Sequence, residues 1–464
     1  MAQTSHARVL VWSIIASHFA PPFMASGVAV ALPALGADLN AGATSLSLVE
    51  TLFLASQVAF LLPAGRLAGA SDKATLFKLG LAGFAVSSLL IGICSSMPIL
   101  LALRFVQGAS SAIFAATGPA ILADVVAPGE RGRAFGASIG AVYAGLTFGP
   151  VVAGVLTDLL GWRAVFGAGG ILAMAMGFLV HAKLPSSWRR PPPGAVHLPS
   201  AGVLLAAAMC LVAGSATLRE GLYGYVFVGA GLALSVGFVI LQRRLPQPLV
   251  NIHLLMRNHL LANALFVQVV LYLNGFCVVF LLAIYMQVAL GHPANVAGEI
   301  VAIGAILMTA LAPVAGRLSD RYRPDLILIF GVACILISAV MGIPLSGQTG
   351  LLYVTAMLAI HGLGWALFSS PNMTMIMGSV PKEATSIAAA LGATSRALGM
   401  LSGMLVTALL ISLSLGNEPV DRHPAEFISI MTKTFWVLAL ATTGILALAI
   451  VAALRTRGSK SDAA

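Results

Sequence analysis

The chain has little charge. Only 9% of its 464 residues are Asp, Glu, Lys or Arg, whereas 59% are hydrophobic, and the mean hydropathy is +0.99. A soluble domain carries about 25% charged residues, so the composition excludes a water-soluble globular protein. Because a spanning helix needs roughly 20 residues, the chain has room for about a dozen membrane spans joined by short loops.

Cysteines and catalytic motifs are also scarce. The four cysteines, Cys94, Cys210, Cys277 and Cys334, lie in apolar runs, which argues against disulfides and a metal site. There is no Gly-x-x-x-x-Gly-Lys-Ser/Thr loop, so ATP-driven pumping is disfavoured. No nucleophile–base or metal-ligand constellation is found, so an enzyme is the least favoured class. No cofactor is expected. The first apolar run continues into a full span and lacks a cleavage site, so no signal peptide is predicted.

Long apolar runs are what the chain does have. They predict fourteen membrane helices, which we number span 1 to span 14: 8–35, 47–68, 76–95, 99–124, 135–159, 164–183, 199–218, 222–242, 259–287, 297–318, 325–344, 350–371, 385–415 and 432–455. An even number of spans places both termini on one side of the membrane.

The basic residues indicate which side that is. One alternating set of loops, together with the C-terminal tail, contains Arg66, Lys73, Lys78, Arg131, Arg133, Lys183, Arg189, Arg190, Arg243, Arg244, Arg257, Arg317, Arg321, Arg323, Lys382, Arg455, Arg457 and Lys460. The opposite loops contain Arg163, Arg219, Arg422 and Lys433. We call the first side the basic end and the second the far end. The positive-inside rule predicts that the basic end and both termini are cytoplasmic. This placement explains the net charge of +10 without a nucleic-acid partner.

Two sequence segments recur. Ala64-Gly-Arg-Leu-Ala-Gly69 follows span 2 and Ala315-Gly-Arg-Leu-Ser-Asp320 follows span 10. Val106–Phe114 in span 4 is echoed by Ile360–Phe368 in span 12 at a similar offset. We therefore predict an all-α membrane protein with six-helix bundles at 1–184 and 259–464 and a linker at 185–258 that carries two extra spans. Parallel repeats of this kind build rocking transporters whose substrate site lies between the halves.

Span 5 carries a stripe of small residues. Gly145, Gly149 and Ala153 are spaced four apart, Gly154 follows, and Pro150 removes one helical hydrogen bond. A bent helix with one smooth face suits a packed joint between moving parts. Ordinary close packing of membrane helices would explain the same stripe.

These segments resemble the signatures of the major facilitator superfamily, and of its fourteen-helix drug:proton antiporters in particular. Gly145–Gly154 is similar to the antiporter signature, and Arg104-Phe-Val-Gln107-Gly108 to the span 4 signature. Gly65-Arg66-Leu-Ala and Gly316-Arg317-Leu-Ser-Asp320-Arg321 resemble the two copies of the cytoplasmic loop signature. The resemblance implies two six-helix bundles and proton-coupled multidrug efflux, with drug resistance, in a bacterial inner membrane. It also implies that the loop signatures gate the cytoplasmic side.

Two positions depart from the family pattern. Many relatives carry an Asp in span 1 where this chain has Met24, and the first loop signature has Gly69 in place of its usual Asp. The first departure weakens the expectation of cationic drugs and removes the usual proton carrier. The second removes a charge from the N-terminal gate, whereas Asp320 is kept in the C-terminal copy.

Few ionisable residues lie inside the spans, where each charge is costly. Glu50 near the start of span 2 is the candidate proton carrier, and an interfacial carboxylate is the alternative. Arg104 would act in proton coupling by the resemblance, or extend to the membrane interface. His18 and His361 could share proton traffic, or could be neutral, hydrogen-bonded residues of the bundles.

The candidate cavity residues are polar or flexible apolar side chains within the spans: Gln57, Gln107, Gln268, Asn274, Asn372, Arg396, Phe23 and Met24. Hydrogen bonds between helices would explain the polar ones equally well. If Arg396 faces the cavity, an anionic or zwitterionic substrate is favoured.

The sequence therefore predicts a proton-driven exporter of small amphiphilic compounds, with the lipid bilayer, protons and substrate as its partners. No residue pattern points to a periplasmic adaptor. One alternative is an exporter of a specific endogenous metabolite, which could be anionic, or a facilitator that is not coupled to protons. Another is a membrane sensor or scaffold that has lost transport.

Overall fold

The computed structural model describes residues 2–70, 72–126, 131–183, 197–246, 248–250, 252–381 and 385–461. These residues form helices, short 3₁₀ turns and loops, without a strand, and they include 14 helical spans long and apolar enough to cross a membrane. Span 1 covers Val9–Leu39. Spans 2 to 14 are Ala43–Ala70, Lys73–Gly92, Met97–Val125, Arg131–Leu160, Trp162–Lys183, Leu198–Thr217, Leu222–Arg244, His259–Val288, Ala294–Arg321, Pro324–Met341, Leu351–Gly378, Thr385–Ser414 and Pro424–Ser461. The prediction of an all-α protein with fourteen spans is confirmed.

Span 1 is interrupted where the sequence predicts one continuous helix. It consists of helices Ala2–Ser17 and Ala20–Leu39, with a turn at His18 and Phe19. Two consecutive prolines follow that turn, and neither has an N–H to donate to the preceding helix. The main-chain ladder resumes when Phe23 donates to Phe19 O at 3.1 Å. The break places His18 at a helix junction.

Two other spans extend well beyond their predicted bounds. Span 12 runs on through Pro371 to Gly378, since neighbouring helices in a bundle compensate for the missing hydrogen bond. Span 14 begins at Pro424 and extends to Ser461, and proline suits the first turn of a helix because its missing N–H would be unpaired there anyway. A short helix, Ile252–Arg257, lies in the linker before span 9.

Equivalent spans pack equivalently in the two halves of the chain. Spans 2 and 4, 3 and 4, 1 and 5, and 3 and 6 are neighbours among the first six, and spans 10 and 12, 11 and 12, 9 and 13, and 11 and 14 are their counterparts. Spans 7 and 8 pair with each other, and span 7 also contacts spans 2 and 13. This matches the repeat seen in the sequence. The exact bundle boundaries stay a prediction, and residues 184–196 of the first linker lie outside the described residues.

The small-residue stripe of span 5 joins span 1 to span 10. A Cβ at Gly145 would lie 2.5 Å from Phe19 O, and one at Gly149 would lie 2.7 Å from Phe23 O, both on span 1. A Cβ at Gly154 would lie 2.6 Å from Ala294 O, at the start of span 10. The stripe therefore contacts both halves of the chain.

Close contacts hold the two halves together at the far end. Three hydrogen bonds illustrate this: Thr44 Oγ1 donates to Gly416 O at 2.5 Å, Ser45 Oγ to Asn417 Oδ1 at 3.1 Å, and Asn295 N to Asp158 Oδ2 at 2.8 Å. These contacts join the start of span 2 to the loop after span 13, and the end of span 5 to the start of span 10. The far end is closed.

Spans 5 and 10 separate toward the basic end. Their hydrogen bond closest to the basic end among the described residues joins Thr147 Oγ1 and Thr309 Oγ1, 3.0 Å apart. Gly140 lies about four turns before Gly154 on nearly the same face, and no heavy atom of the described residues lies within 4 Å of the Cβ position there. At Gly316 the described residues place only a side chain of the same half that close. The two halves thus form a V that opens toward the basic end.

Candidate functional site

Five polar side chains meet at one level between the two halves. His18 and Tyr143 come from spans 1 and 5, and Tyr272, Ser369 and Arg396 come from spans 9, 12 and 13. Each lies about three turns from the basic end of its span. We call this set the central cluster. It occupies the place between two six-helix halves where transporters of this architecture hold substrate.

Arg396 is the charged member of the central cluster. Its guanidinium carbon lies 5.9 Å from the centroid of the Tyr272 ring, and its charge interacts with the Tyr272 and Tyr143 hydroxyls. Tyr143 in turn lies near Tyr272 and Ser369. Arg396 is partly exposed, and Thr309 at the same depth is exposed, so the interior is open at this level.

His18 has one unused ring nitrogen. Its Nδ1 lies 2.7 Å from Ile14 O, and because a carbonyl oxygen only accepts, Nδ1 carries the hydrogen. Nε2 has no hydrogen-bond partner among the described residues although the residue is only 8% exposed. The ring packs against Gly118 of span 4, where a Cβ would lie 2.6 Å from Cε1 and 2.9 Å from Nε2. His18 is also close enough to Arg396 to interact with its charge.

A second site is an ion pair inside the N-terminal half. Arg104 Nη2 lies 2.9 Å from Glu50 Oε2, and both side chains are 0% exposed. Arg104 also donates from Nε to Val49 O at 2.8 Å and from Nη1 to Gln107 Oε1 at 2.7 Å. The interfacial location considered for Glu50 and the snorkelling considered for Arg104 are excluded, because neither side chain reaches solvent.

Aromatic and hydroxyl groups complete this site. The guanidinium carbon of Arg104 lies 4.4 Å from the Phe53 ring centroid and 5.8 Å from that of Phe166. Gln107 Nε2 donates to Ser88 Oγ at 2.6 Å. Spans 2, 3, 4 and 6 all contribute, so the pair lies within the N-terminal bundle, about two turns from the far end. A Cβ at Gly108 would overlap Phe53 and Ser56, so this glycine lets spans 2 and 4 approach closely.

His361 occupies the corresponding place in the C-terminal half. Its Nε2 accepts from Trp365 Nε1 at 2.9 Å, and its Nδ1 lies 3.3 Å from Ser338 Oγ. Both ring nitrogens are therefore used, and Nε2 is unprotonated. Gln107 binds a serine of span 3, and His361 binds a serine of span 11, which is the equivalent span. This geometry matches the expectation of a neutral, hydrogen-bonded bundle histidine.

The predicted cavity residues are dispersed. Gln57 donates to Ser111 at 2.9 Å between spans 2 and 4, and Asn274 to Thr442 at 3.0 Å between spans 9 and 14. Asn372 reaches Gln268 at 3.3 Å, linking spans 12 and 9. Except for Arg396, these polar side chains form contacts between helices rather than part of the central cluster.

The two apolar candidates lie on span 1 and are both buried. The Phe23 ring stacks on Phe19 with centroids 5.5 Å apart. Met24 is 0% exposed, and its sulfur faces Gly169 of span 6. The position at which relatives carry an acid is thus directed into the N-terminal bundle, away from the central cluster.

The loop signatures lie at the basic end. Arg66 Nη2 donates to Pro248 O at 2.6 Å, which ties span 2 to the linker after span 8. No heavy atom of the described residues lies within 4 Å of the Cβ position at Gly65. Arg317 is exposed, and the Arg321 guanidinium carbon lies 6.0 Å from the Tyr322 ring centroid. The side chain of Asp320 lies outside the described residues.

Sequence reasoning missed Tyr143, Tyr272 and Ser369. A signal was present for the tyrosines, because tyrosine in membrane proteins concentrates at the interfaces. These two lie deep within spans 5 and 9. A tyrosine at that depth indicates a polar partner nearby. Nothing in the local sequence distinguishes Ser369 from other serines in the spans.

The fold, the repeat and the signatures agree with a match to one family model. The model of the Major Facilitator Superfamily matches residues 14–404. The chain belongs to this family. A solved peptide transporter, POT, in complex with sulfate has the same fold, with a TM-score of 0.70, 14% identity, and coverage of 95% of this chain and 94% of that one.

Proteins similar to this chain include transporters and resistance proteins. The riboflavin transporter RibZ of Clostridioides difficile is 26% identical over 88% of this chain and 90% of its own length. The tetracenomycin C resistance and export protein of Streptomyces glaucescens is 25% identical over 85% of this chain and 74% of its own length. The multidrug resistance protein Stp of Mycobacterium tuberculosis is 24% identical over 85% of this chain and 76% of its own length. The chain is therefore a multi-pass membrane transporter and not an enzyme.

Proposed function

We propose that this transporter exports small amphiphilic compounds across a bacterial inner membrane in exchange for protons, with both termini in the cytoplasm. The observation that carries the proposal is the fully buried Glu50–Arg104 pair. A buried ion pair adds little to stability compared with well-packed apolar residues, so its presence is better explained by a switching role. The export and resistance names of the relatives support the direction of transport.

The proton step occurs at Glu50. With Glu50 ionised, the pair holds spans 2 and 4 together around Arg104. A proton entering from the far side neutralises the carboxylate and removes its attraction to Arg104. Arg104 keeps its hydrogen bonds to Val49 O and Gln107 Oε1. Spans 2 and 4 can then shift relative to each other. Span 2 contacts span 13 of the other half, so this shift is transmitted to the interface between the halves.

The alternating-access step is a rocking of the two halves. The closed far end and the V that opens toward the basic end correspond to a state that loads substrate from the cytoplasm. Rocking breaks the far-end contacts and brings the basic ends of spans 5 and 10 together. The loop signatures around Gly65 and Gly316 meet in the opposite state. The proton gradient is the energy source, and no cofactor takes part.

The test is proton flux in proteoliposomes with an imposed pH gradient. Cationic, neutral and anionic amphiphiles are added in turn to wild type, Glu50→Gln and the control Glu299→Gln, whose carboxyl is exposed at the start of span 10. We expect substrate to dissipate the gradient in wild type and the control but not in Glu50→Gln. Flux that survives in Glu50→Gln would remove Glu50 from the mechanism.

A second function has one specific observation in its favour. One relative is a riboflavin transporter, which suggests transport of a single metabolite rather than of varied drugs. The same vesicles decide between the two. A labelled compound that crosses without proton movement would identify an uncoupled facilitator, and a response to one compound alone would identify a dedicated carrier.

A further inference from the structure

The central cluster contains a cation that no carboxylate neutralises. Among the ion pairs of the described residues, none involves Arg396. Its neighbours are the Tyr272 and Tyr143 hydroxyls, which are neutral. Arg396 lies about three turns inside span 13, too deep for its side chain to extend to the headgroups. An unpaired charge at such a depth is costly unless a ligand compensates it.

Aromatic rings lie beside the same site. Tyr272 packs edge-to-face on Trp365 with centroids 4.7 Å apart, and Trp365 packs likewise on Phe368 at 5.5 Å. These three rings are buried in the core, whereas Tyr143 of the other half packs against them and is partly exposed. Aromatic rings bind flat apolar groups with a defined geometry. The Tyr143 ring therefore suits a planar aromatic body placed beside the guanidinium.

His18 lies on the opposite side of the interface between the halves. Its Nε2 faces Gly118 of its own half, so this nitrogen is not a ligand contact. The charge of Arg396 nevertheless acts on His18. His18 belongs to the N-terminal half, whereas Arg396 and Tyr272 belong to the C-terminal half, so a ligand beside Arg396 lies between the two halves that rock.

We propose that the central cluster is a substrate site for aromatic carboxylates, with the carboxylate on Arg396 and the aromatic body on the Tyr143 ring. The planar fork of arginine matches a carboxylate in two parallel hydrogen bonds. The two tyrosine hydroxyls orient the guanidinium and donate to the remaining carboxylate lone pairs. A cationic amphiphile is repelled at the same place. This inference rests on the proposed export function and names the substrate class of that site.

The experiment uses three ligands that share one ring system: 2-naphthoate, 2-naphthamide and 2-naphthylmethylamine. Binding to the purified full-length protein is measured by isothermal titration calorimetry for wild type, Arg396→Gln, Arg396→Lys and the control Arg422→Gln, which removes an exposed charge at the far end. Uptake of labelled 2-naphthoate is measured in proteoliposomes of the same proteins.

We expect wild type to bind the carboxylate roughly 10- to 100-fold more tightly than the amide. Arg396→Gln should abolish that preference without weakening the amide. Arg396→Lys should retain part of the preference, because it keeps the charge but loses the fork, and retained binding would also show that the site still folds. Arg422→Gln should behave as wild type.

Other outcomes would overturn the inference. Equal or tighter binding of the amine or amide by wild type excludes an anion site, and so does a carboxylate preference that survives in Arg396→Gln. If no naphthyl ligand binds while other amphiphiles drive proton flux, the substrate class is wrong and the export function stands. If no compound is bound or moved, both proposals fail.

Discussion

Removing Glu50 should destabilise the protein more than removing Arg104, although the two residues form one ion pair. After Arg104→Gln, Glu50 is left in a site with 0% exposure, and its Oε1 has no hydrogen-bond partner among the described residues. A carboxyl in such a site takes up a proton and becomes neutral, so the cost should be that of an unsatisfied polar group, about 1–3 kcal/mol. No discount for solvent screening applies, since neither side chain reaches water.

The opposite change leaves a charge that cannot be neutralised. After Glu50→Gln the guanidinium keeps Val49 O at 2.8 Å, Gln107 Oε1 at 2.7 Å and the Phe53 ring at 4.4 Å. A guanidinium does not lose its proton in a protein, so a buried charge remains without its partner, and the cost should be about 3–5 kcal/mol. In the double variant both charges are gone, so its cost should be below the sum of the singles by about 0.5–3 kcal/mol.

The assay is unfolding by SDS titration in mixed micelles, followed by circular dichroism at pH 7. Lys73→Gln serves as the control, because Lys73 pairs with Asp124 at 2.8 Å at the protein surface, where such a pair contributes at most about 1 kcal/mol. Equal losses for Arg104→Gln and Glu50→Gln, or strictly additive losses in the double variant, would refute a charge-paired site. A loss for Glu50→Gln no larger than that for Lys73→Gln would refute its burial.

Three further predictions concern the interface and the C-terminal half. Gly298→Val should impair transport strongly, because a Cβ there would overlap the main chain of span 5. The control Gly140→Ala has open space at its Cβ position and should transport as wild type. Uptake of labelled substrate compares the two variants. A Ser45→Cys/Asn417→Cys pair should form a disulfide that locks the far end, since the native side chains lie 3.1 Å apart. Transport should stop on oxidation and return with reductant. Uptake that is unaffected by oxidation despite complete cross-linking would contradict the closed far end. His361→Ala should lower the free energy of unfolding by about 1–3 kcal/mol, because it leaves the serine and tryptophan partners unpaired. The ratio of protons to substrate should not change. A changed ratio in vesicles would show that His361 does carry protons.

The candidate site was predictable in its components but not in its pairing. Glu50 and Arg104 could both be selected because ionisable residues inside apolar runs are rare. Their contact depends on the close approach of spans 2 and 4, which Gly108 permits. The two residues are far apart in the chain, so the sequence does not reveal this contact. The same limit applies to Met24 and Asn274, whose polarity or position suggested a cavity but whose side chains lie within the bundles.

The sequence by itself determined the number of spans, their approximate bounds and the family. Crossing a bilayer requires about 20 apolar residues with every main-chain group bonded internally, and this local requirement is visible in any window of the chain. The tertiary structure alone decided which polar groups share a space. Tyr143, Tyr272 and Arg396 are far apart in the chain, and they meet because equivalent helices of two bundles face each other across one interface. Side-chain direction around a helix, and the tilt of one bundle against the other, are set by packing between spans and not by hydropathy along them.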